Sequence, residues 1–300
     1  MPTTLNPADV ILDLPLTAWD GPFPADLQAH ALEALESGQV ILCPSLPFAV
    51  APEEAGFLNP AVGDDSRKNV SLDPATGKLG ATALAPDEAA RLAGMMQRFS
   101  DQAQALLHGL FPAYAPALER ARTSFRPTEI AGRQYTPRHD DTRLHVDAFP
   151  SRPMAGRRIL RVFSNVADDG SVRKWKVGEP FGDFAPKFLP RLKPQPPGAA
   201  WAMKTLGLTK AARTPYDHLM LSLHDQAKFD AGYQASAPQI GLDIPAGATW
   251  FCFTDQVLHA ALAGHCCLEQ TFHVPVEAMA RPERSPLRVL EALKGRRLAV

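Results

Sequence analysis

The chain has 300 residues, 45% of them hydrophobic and 21% charged, with a formal net charge of −1. That supplies apolar material for one large core or two ordinary ones, with too few charges for wholesale disorder and too neutral a balance for a nucleic-acid binder. No apolar run reaches the roughly 18 residues of a membrane span, and the N-terminus lacks the basic-then-apolar order of a secretion signal.

Good helix formers over 24–37, with Leu27, Leu32 and Leu35 near one face and Gly38 as a stop, predict a helix. Val40-Ile41-Leu42 follows as a strand candidate, and 52–82 reads as loop. The strongest helix runs over 86–108. Pro86 suits its first turn, Asp87 and Glu88 favour its positive end, and Leu92, Met95, Met96, Phe99, Ala103, Leu106 and Leu107 recur at spacings of three and four.

After about residue 125 the pattern changes to short apolar or alternating runs between turn residues. Strands are expected over 159–166, 199–203, 219–223, 239–244, 249–253 and 268–274, with Pro245-Ala246-Gly247 as a turn. Ser285-Pro286 caps a last helix to about Lys294. With 29 prolines, many ordered turns are expected rather than a helical bundle. The expected fold is α+β dominated by β, a double-stranded β-helix (jelly-roll, cupin-like) barrel braced by N-terminal and C-terminal helices. One domain spans 1–300, with a helical and loop-rich part over 1–125, the barrel core over 126–280 and a basic C-terminal helix over 281–300. The first 35 residues are open between barrel brace and dimer interface. Cys43 and Cys252 read as buried thiols, and the adjacent Cys266 and Cys267 cannot easily bridge. A reducing, cytoplasmic setting is therefore expected.

His145-Val146-Asp147 carries the chemistry. On a strand, residues i and i+2 share a face, so one imidazole and one carboxylate can reach a single metal. His259, beyond the Pro245-Ala246-Gly247 turn, is the expected third ligand, with His224, His265 and His273 as rivals. Two histidines and one carboxylate leave open positions on iron(II) for a bidentate co-substrate and dioxygen. A 2-oxoglutarate-dependent oxygenase also needs a cation for the far carboxylate of that co-substrate. In many such barrels an arginine stands about ten residues after the distal histidine. Here those positions are Leu268, Glu269, Gln270 and Thr271. Arg161 is the expected substitute, with Tyr135 and Asn165 adding hydrogen bonds and Gln270 and Thr271 lining the pocket.

Between residues 133 and 161 stand seven arginines against three acids, around the expected metal site. Planar guanidinium suits carboxylate and phosphate, so an anionic substrate is expected at Arg133, Arg138 and Arg143. A solvated loop surface is the alternative for the same charges. Residues 281–300 hold a second basic patch that could lie on anionic lipid.

Four further blocks join His145-Val146-Asp147. They are Tyr216 to Asp225, Pro245 to Ala261, Leu268-Glu269-Gln270-Thr271-Phe272, and Arg173-Lys174-Trp175-Lys176-Val177-Gly178-Glu179-Pro180-Phe181. Together they resemble the bacterial Kdo hydroxylases over most of 30–275. The resemblance implies a non-haem dioxygenase using Fe(II), 2-oxoglutarate and O2, with ascorbate as an auxiliary reductant. It implies His145, Asp147 and His259 as iron ligands. Its implied substrate is the 3-deoxy-D-manno-oct-2-ulosonic acid (Kdo) sugar on a lipid A precursor of lipopolysaccharide, hydroxylated at C3 to give Ko. That substrate places the enzyme in the cytoplasm, with peripheral contact at the inner face of the inner membrane. Two other readings stay open: an oxygenase of the same chemistry on another anionic small molecule, and a non-catalytic cupin-like protein binding an acidic sugar. Zinc-dependent hydrolysis is disfavoured, since no glutamate stands as an evident general base beside the triad.

Overall fold

The N-terminal part contributes more strand than its composition predicts. In the computed structural model, which describes residues 3–64, 68–133 and 136–299, α1 (Pro7–Val10) leads into β1 (Ile11–Asp13). The predicted helix over 24–37 forms as α2 (Ala25–Glu36), followed by β2 (Val40–Cys43). Short strands β3 (Val70–Asp73) and β4 (Lys78–Gly80) stand in the stretch expected to be loop. The long helix is α3 (Pro86–Leu110), and β5 (Glu119–Arg126) closes this part. Strand β5 escaped the sequence reading because Glu119, Arg120, Arg122 and Arg126 break its apolar alternation.

Next come β6 (Arg158–Asn165) and β7 (Arg173–Gly178). Four helices then intervene: α4 (Phe181–Phe188), α5 (Ala199–Thr205), α6 (Pro215–Phe229) and α7 (Ala231–Ser236). Strands β8 (Gln239–Ile244), β9 (Thr249–Phe253), β10 (His259–Ala263) and β11 (Cys267–Val274) precede α8 (Pro286–Lys294).

Two expected strands are helices. The run over 219–223 lies within α6, where Thr214 and Asp217 form a reciprocal capping box and Pro215 takes the first turn. Leu219, Met220, Leu223 and Ala227 then bury one helical face. The run over 199–203 is α5, favoured by Ala199, Ala200 and Ala202 behind the left-handed Gly198. Short apolar runs fit either period, and here the capping residues decide.

Among the described residues the strands form two sheets. The larger has the order β1-β2-β9-β6-β11-β5-β3-β4, and the smaller β10-β7-β8. Every pairing is antiparallel except β1 with β2. This is a mixed α/β architecture dominated by its large sheet. Side-chain alternation gives that sheet two different faces. Leu160, Val162, Phe251, Phe253, Leu268 and Phe272 pack with Leu92, Met95, Phe99 and Leu106 of α3. Truncating Phe99 there would cost about 3–5 kcal/mol. On the other face Phe163 stacks on Trp250 with ring centroids 5.1 Å apart, and both meet Trp175 of the small sheet edge-on. Arg161, Glu269 and Arg126 share this second face, where alternation carries charge into the space between the sheets.

Candidate metal centre

His145 and Asp147 do not lie on a regular strand. His145 makes a single antiparallel bridge with His259, the first residue of β10. Two residues on, the Asp147 amide donates to Thr254 O at 2.8 Å. The ligand-bearing segment is thus fixed to the 254–259 turn. Gly178 lets β7 approach the same turn, where its amide donates to Leu258 O; a Cβ at Gly178 would stand 2.9 Å from Leu258 Cβ.

One ligand atom from each of His145, Asp147 and His259 lies within 4.8 Å of the others. Each imidazole donates Nδ1–H to the carbonyl two residues upstream, His145 to Arg143 at 2.8 Å and His259 to Val257 at 2.9 Å. A carbonyl only accepts, so Nδ1 must carry the proton and Nε2 keeps its lone pair. Burial, reinforced by His259, holds His145 well below the usual imidazole range. Burial likewise lowers His259, against the pull of Asp147. Asp147 feels burial pushing it up, but Arg161 and the two histidines outweigh that and keep it ionised. Asp147 Oδ2 is buried without a hydrogen bond. Two neutral imidazoles and one under-satisfied carboxylate converging on a point fit a divalent metal with open positions. Trp175 stacks on the His259 ring at 5.2 Å, and His224 of α6 meets His145 edge-on at 5.3 Å.

Arg161 lies inside this site. Its Nη1 is 3.2 Å from Asp147 Oδ2 and 3.2 Å from Glu269 Oε1. Arg126 of β5 holds the same glutamate through Nε at 3.1 Å and Nη2 at 2.8 Å. Burial pushes Glu269 up, and the two guanidiniums overcome it and keep the carboxyl below its usual range. Glu269 thus occupies one of the positions at which a co-substrate cation was considered, and it clamps arginines from both neighbouring strands. Arg126, Arg161, Arg173 and Trp175 line one cavity with the three ligand residues. Arg161 Nε, Arg173 Nε and Trp175 Nε1 are buried without hydrogen-bond partners. Arg126 and Glu269 were not assigned from sequence; the available signal was a lone acid, Glu269, in a wholly buried strand.

Other expected residues stand elsewhere. The Asn165 amide is spent on Ser171 O, Ile244 O and the Ala167 amide, clamping a turn away from the cavity. Gln270 faces the helix-covered side, accepting from Thr123 Oγ1 and donating to Ala121 O and Thr271 O. Thr271 lies opposite Arg161 in the ladder, on the same face as Glu269. Tyr135 lies outside the described residues. Arg138 pairs with Asp225, and Arg143 bonds Asp140 and Lys228 O, so both tie the ligand-bearing segment to α6. Arg133 flanks that segment and is half-buried. The other arginines of this cluster are not all at the metal. Arg158 is wholly buried against Asp255, Gln256 and the Phe253 ring, and Arg157 pairs with Glu119. His265 and His273 lie against Glu129 and Glu119 instead. In the basic C-terminal patch, Arg281 and Arg284 pair with Glu33, and Arg288 with Glu291.

Residues 18–297 match the family described as 3-deoxy-D-manno-oct-2-ulosonic acid (Kdo) hydroxylase. The fold is similar to the crystal structure of the Kdo hydroxylase KdoO, a non-heme Fe(II) alphaketoglutarate-dependent dioxygenase, in complex with alphaketoglutarate and Fe(III). Identity is 45% over 96% of this chain and 97% of that one, with a TM-score of 0.93. The apo form (46% identity, 97% of each chain, TM-score 0.94) and the cobalt(II) complex (46%, 96% of this chain and 97% of that one, 0.94) agree equally well. Comparison with curated proteins finds no match.

Proposed function

This chain belongs to the Kdo hydroxylase family, and on that premise we propose how its own residues carry out the reaction. It is a non-haem Fe(II)- and 2-oxoglutarate-dependent dioxygenase. The observation that carries this is the convergence of two Nδ1-tethered imidazoles and Asp147 beside a cavity lined by three arginines. His145, Asp147 and His259 hold the iron, which when bound supplies the oxidising chemistry with O2. Arg126, Arg161 and Arg173 line the cavity against Asp141 and Asp147, and two added charges from a bound metal leave it cationic. A dianionic co-substrate offsets that charge. Arg161, with its unpaired Nε and its place beside the metal carboxylate, receives a 2-oxoglutarate carboxylate, and Arg126 and Arg173 supply further donors.

The substrate is the Kdo sugar of a lipid A precursor, hydroxylated at C3. Its carboxylate approaches Arg133, Arg138 and Arg143, of which Arg138 is more than half exposed. The two facing sheets are read as a double-stranded β-helix, and the chain as one oxygenase domain, because the large sheet draws strands from both sides of residue 126. Four buried free thiols support a cytoplasmic enzyme. No helix among the described residues is long and apolar enough to cross a membrane. Access to a lipid-linked sugar would then be from the membrane surface. The test is turnover by iron-loaded protein with and without Kdo-bearing lipid A precursor. Succinate formed in step with a substrate that gains one oxygen atom supports the reading, and succinate with unmodified lipid rejects the substrate.

A further inference from the structure

The three most exposed large apolar side chains among the described residues are Leu206 (73%), Trp201 (70%) and Leu208 (62%). All three belong to α5 and the turn that follows it. The surrounding segment is one-sided in charge. Between Asp183 and Asp217 the sequence has six lysines and arginines and no acid. Lys187 and Arg191 are drawn back to Glu179 and Asp230. For Lys193, Lys204 and Lys210, all exposed, no carboxylate among the described residues lies within ion-pair distance. Tryptophan and leucine at the tip with unpaired lysines around them match a bilayer interface, where the ring sits at headgroup depth and the ammonium groups meet anionic lipid. The segment is also tied to the loop that leaves the candidate metal centre. Lys210 N donates to Ser151 O at 2.8 Å and Arg213 Nη2 to Pro150 O, in the loop leaving Asp147. Within that loop Phe149 lies 5.6 Å from the Arg161 guanidinium.

We infer that the segment of α5 and its following turn, rather than the C-terminal patch, where Arg281, Arg284 and Arg288 are ion-paired, docks on an anionic bilayer. Docking itself does not depend on the reaction. That it holds the metal site toward a lipid-anchored sugar rests on the proposed function.

The experiment is co-sedimentation with phosphatidylglycerol-containing and pure phosphatidylcholine vesicles, with tryptophan emission recorded on the same samples. The expected result is binding to anionic vesicles that weakens as salt is raised, with a blue shift carried by Trp201. The shift should vanish in Trp201→Phe. Binding should fall about tenfold or more in Trp201→Ser/Leu206→Ser/Leu208→Ser and in Lys193→Glu/Lys204→Glu/Lys210→Glu. These side chains are exposed, so unfolding midpoints should match the parent. No vesicle binding, or binding indifferent to both triple variants, overturns the inference. So does self-association lost in the first variant without vesicle binding, which would make the patch an interface between copies of the chain. If the reaction were wrong instead, succinate would be absent while vesicle binding persisted.

Discussion

His145 and His259 exchange both backbone hydrogen bonds, His145 N to His259 O at 3.1 Å and His259 N to His145 O at 2.9 Å. Their rings lie 4.7 Å apart, centroid to centroid. Residues 114 positions apart are thereby paired as neighbours in a ladder, and the metal site inherits that registry. Asp147 joins through its amide bond to Thr254 O. The same few hydrogen bonds fix both the fold and the ligand geometry.

Loss of any ligand should abolish metal retention. Outer-sphere partners of metal ligands typically contribute about 10–100-fold in affinity or activity. His145→Ala, Asp147→Asn and His259→Ala should each exceed about a hundredfold, read by metal content after dialysis and by succinate release.

Arg161→Lys separates co-substrate binding from metal binding. Lysine keeps the charge and loses the planar fork. A charge-assisted hydrogen bond contributes about 1.5–3 kcal/mol, so the half-saturating 2-oxoglutarate concentration should rise about 10–100-fold. Metal content should stay at the parent level. An unchanged 2-oxoglutarate requirement would remove Arg161 from the co-substrate site.

Arg158, only three residues away, should behave oppositely. It is fully buried and bonded to Asp255 and Gln256. Arg158→Met strands the Asp255 carboxyl and should cost about 3–5 kcal/mol in denaturant unfolding. Arg158→Met/Asp255→Leu should recover much of that. In both variants the 2-oxoglutarate requirement of the folded fraction should be unaltered.

The acid limb of stability should carry a signature of His273. Burial, with Arg157 and Arg152 adding, holds this imidazole down at about 4. The nearby Glu119 carboxylate is already taken by Arg157. As pH falls below the ordinary histidine range near 6.5, the unfolded chain binds a proton that the native state refuses. Stability is therefore lost between about pH 6.5 and 4 and is fully present above that window. His273→Gln should flatten that loss by up to about 3 kcal/mol, measured as unfolding free energy against pH. Equal slopes for the two proteins would contradict the assignment.

The long helix was legible from its local spacing, as was the pairing of His145 with Asp147, although a single bridge at His145 stands in place of the strand their spacing implied. His145 and Asp147 are two residues apart, His259 follows a turn signal, and α3 repeats apolar residues from Leu92 to Leu107, about four turns. The helices between β7 and β8 were not all legible. Leu219-Met220-Leu221 fits either period, and the Thr214–Asp217 capping box had to be weighed above it. Strand β5 was hidden by its charges, of which only Arg126 reaches the site. Arg126 and Glu269 stand 143 residues apart in the chain. Only the β5-β11-β6 order brings Arg126, Glu269 and Arg161 together, and strand order is not written in any local pattern. Asn165 shares a strand with Arg161, but its amide is consumed by a turn that only the folded chain forms.

Turnover under isotopically labelled dioxygen tests the central claim most directly. The account predicts one labelled oxygen in succinate and one in the new hydroxyl of the Kdo sugar, with both products lost in His145→Ala and His259→Ala. A hydroxyl labelled from solvent water instead, or label incorporation that survives loss of either histidine, would contradict it.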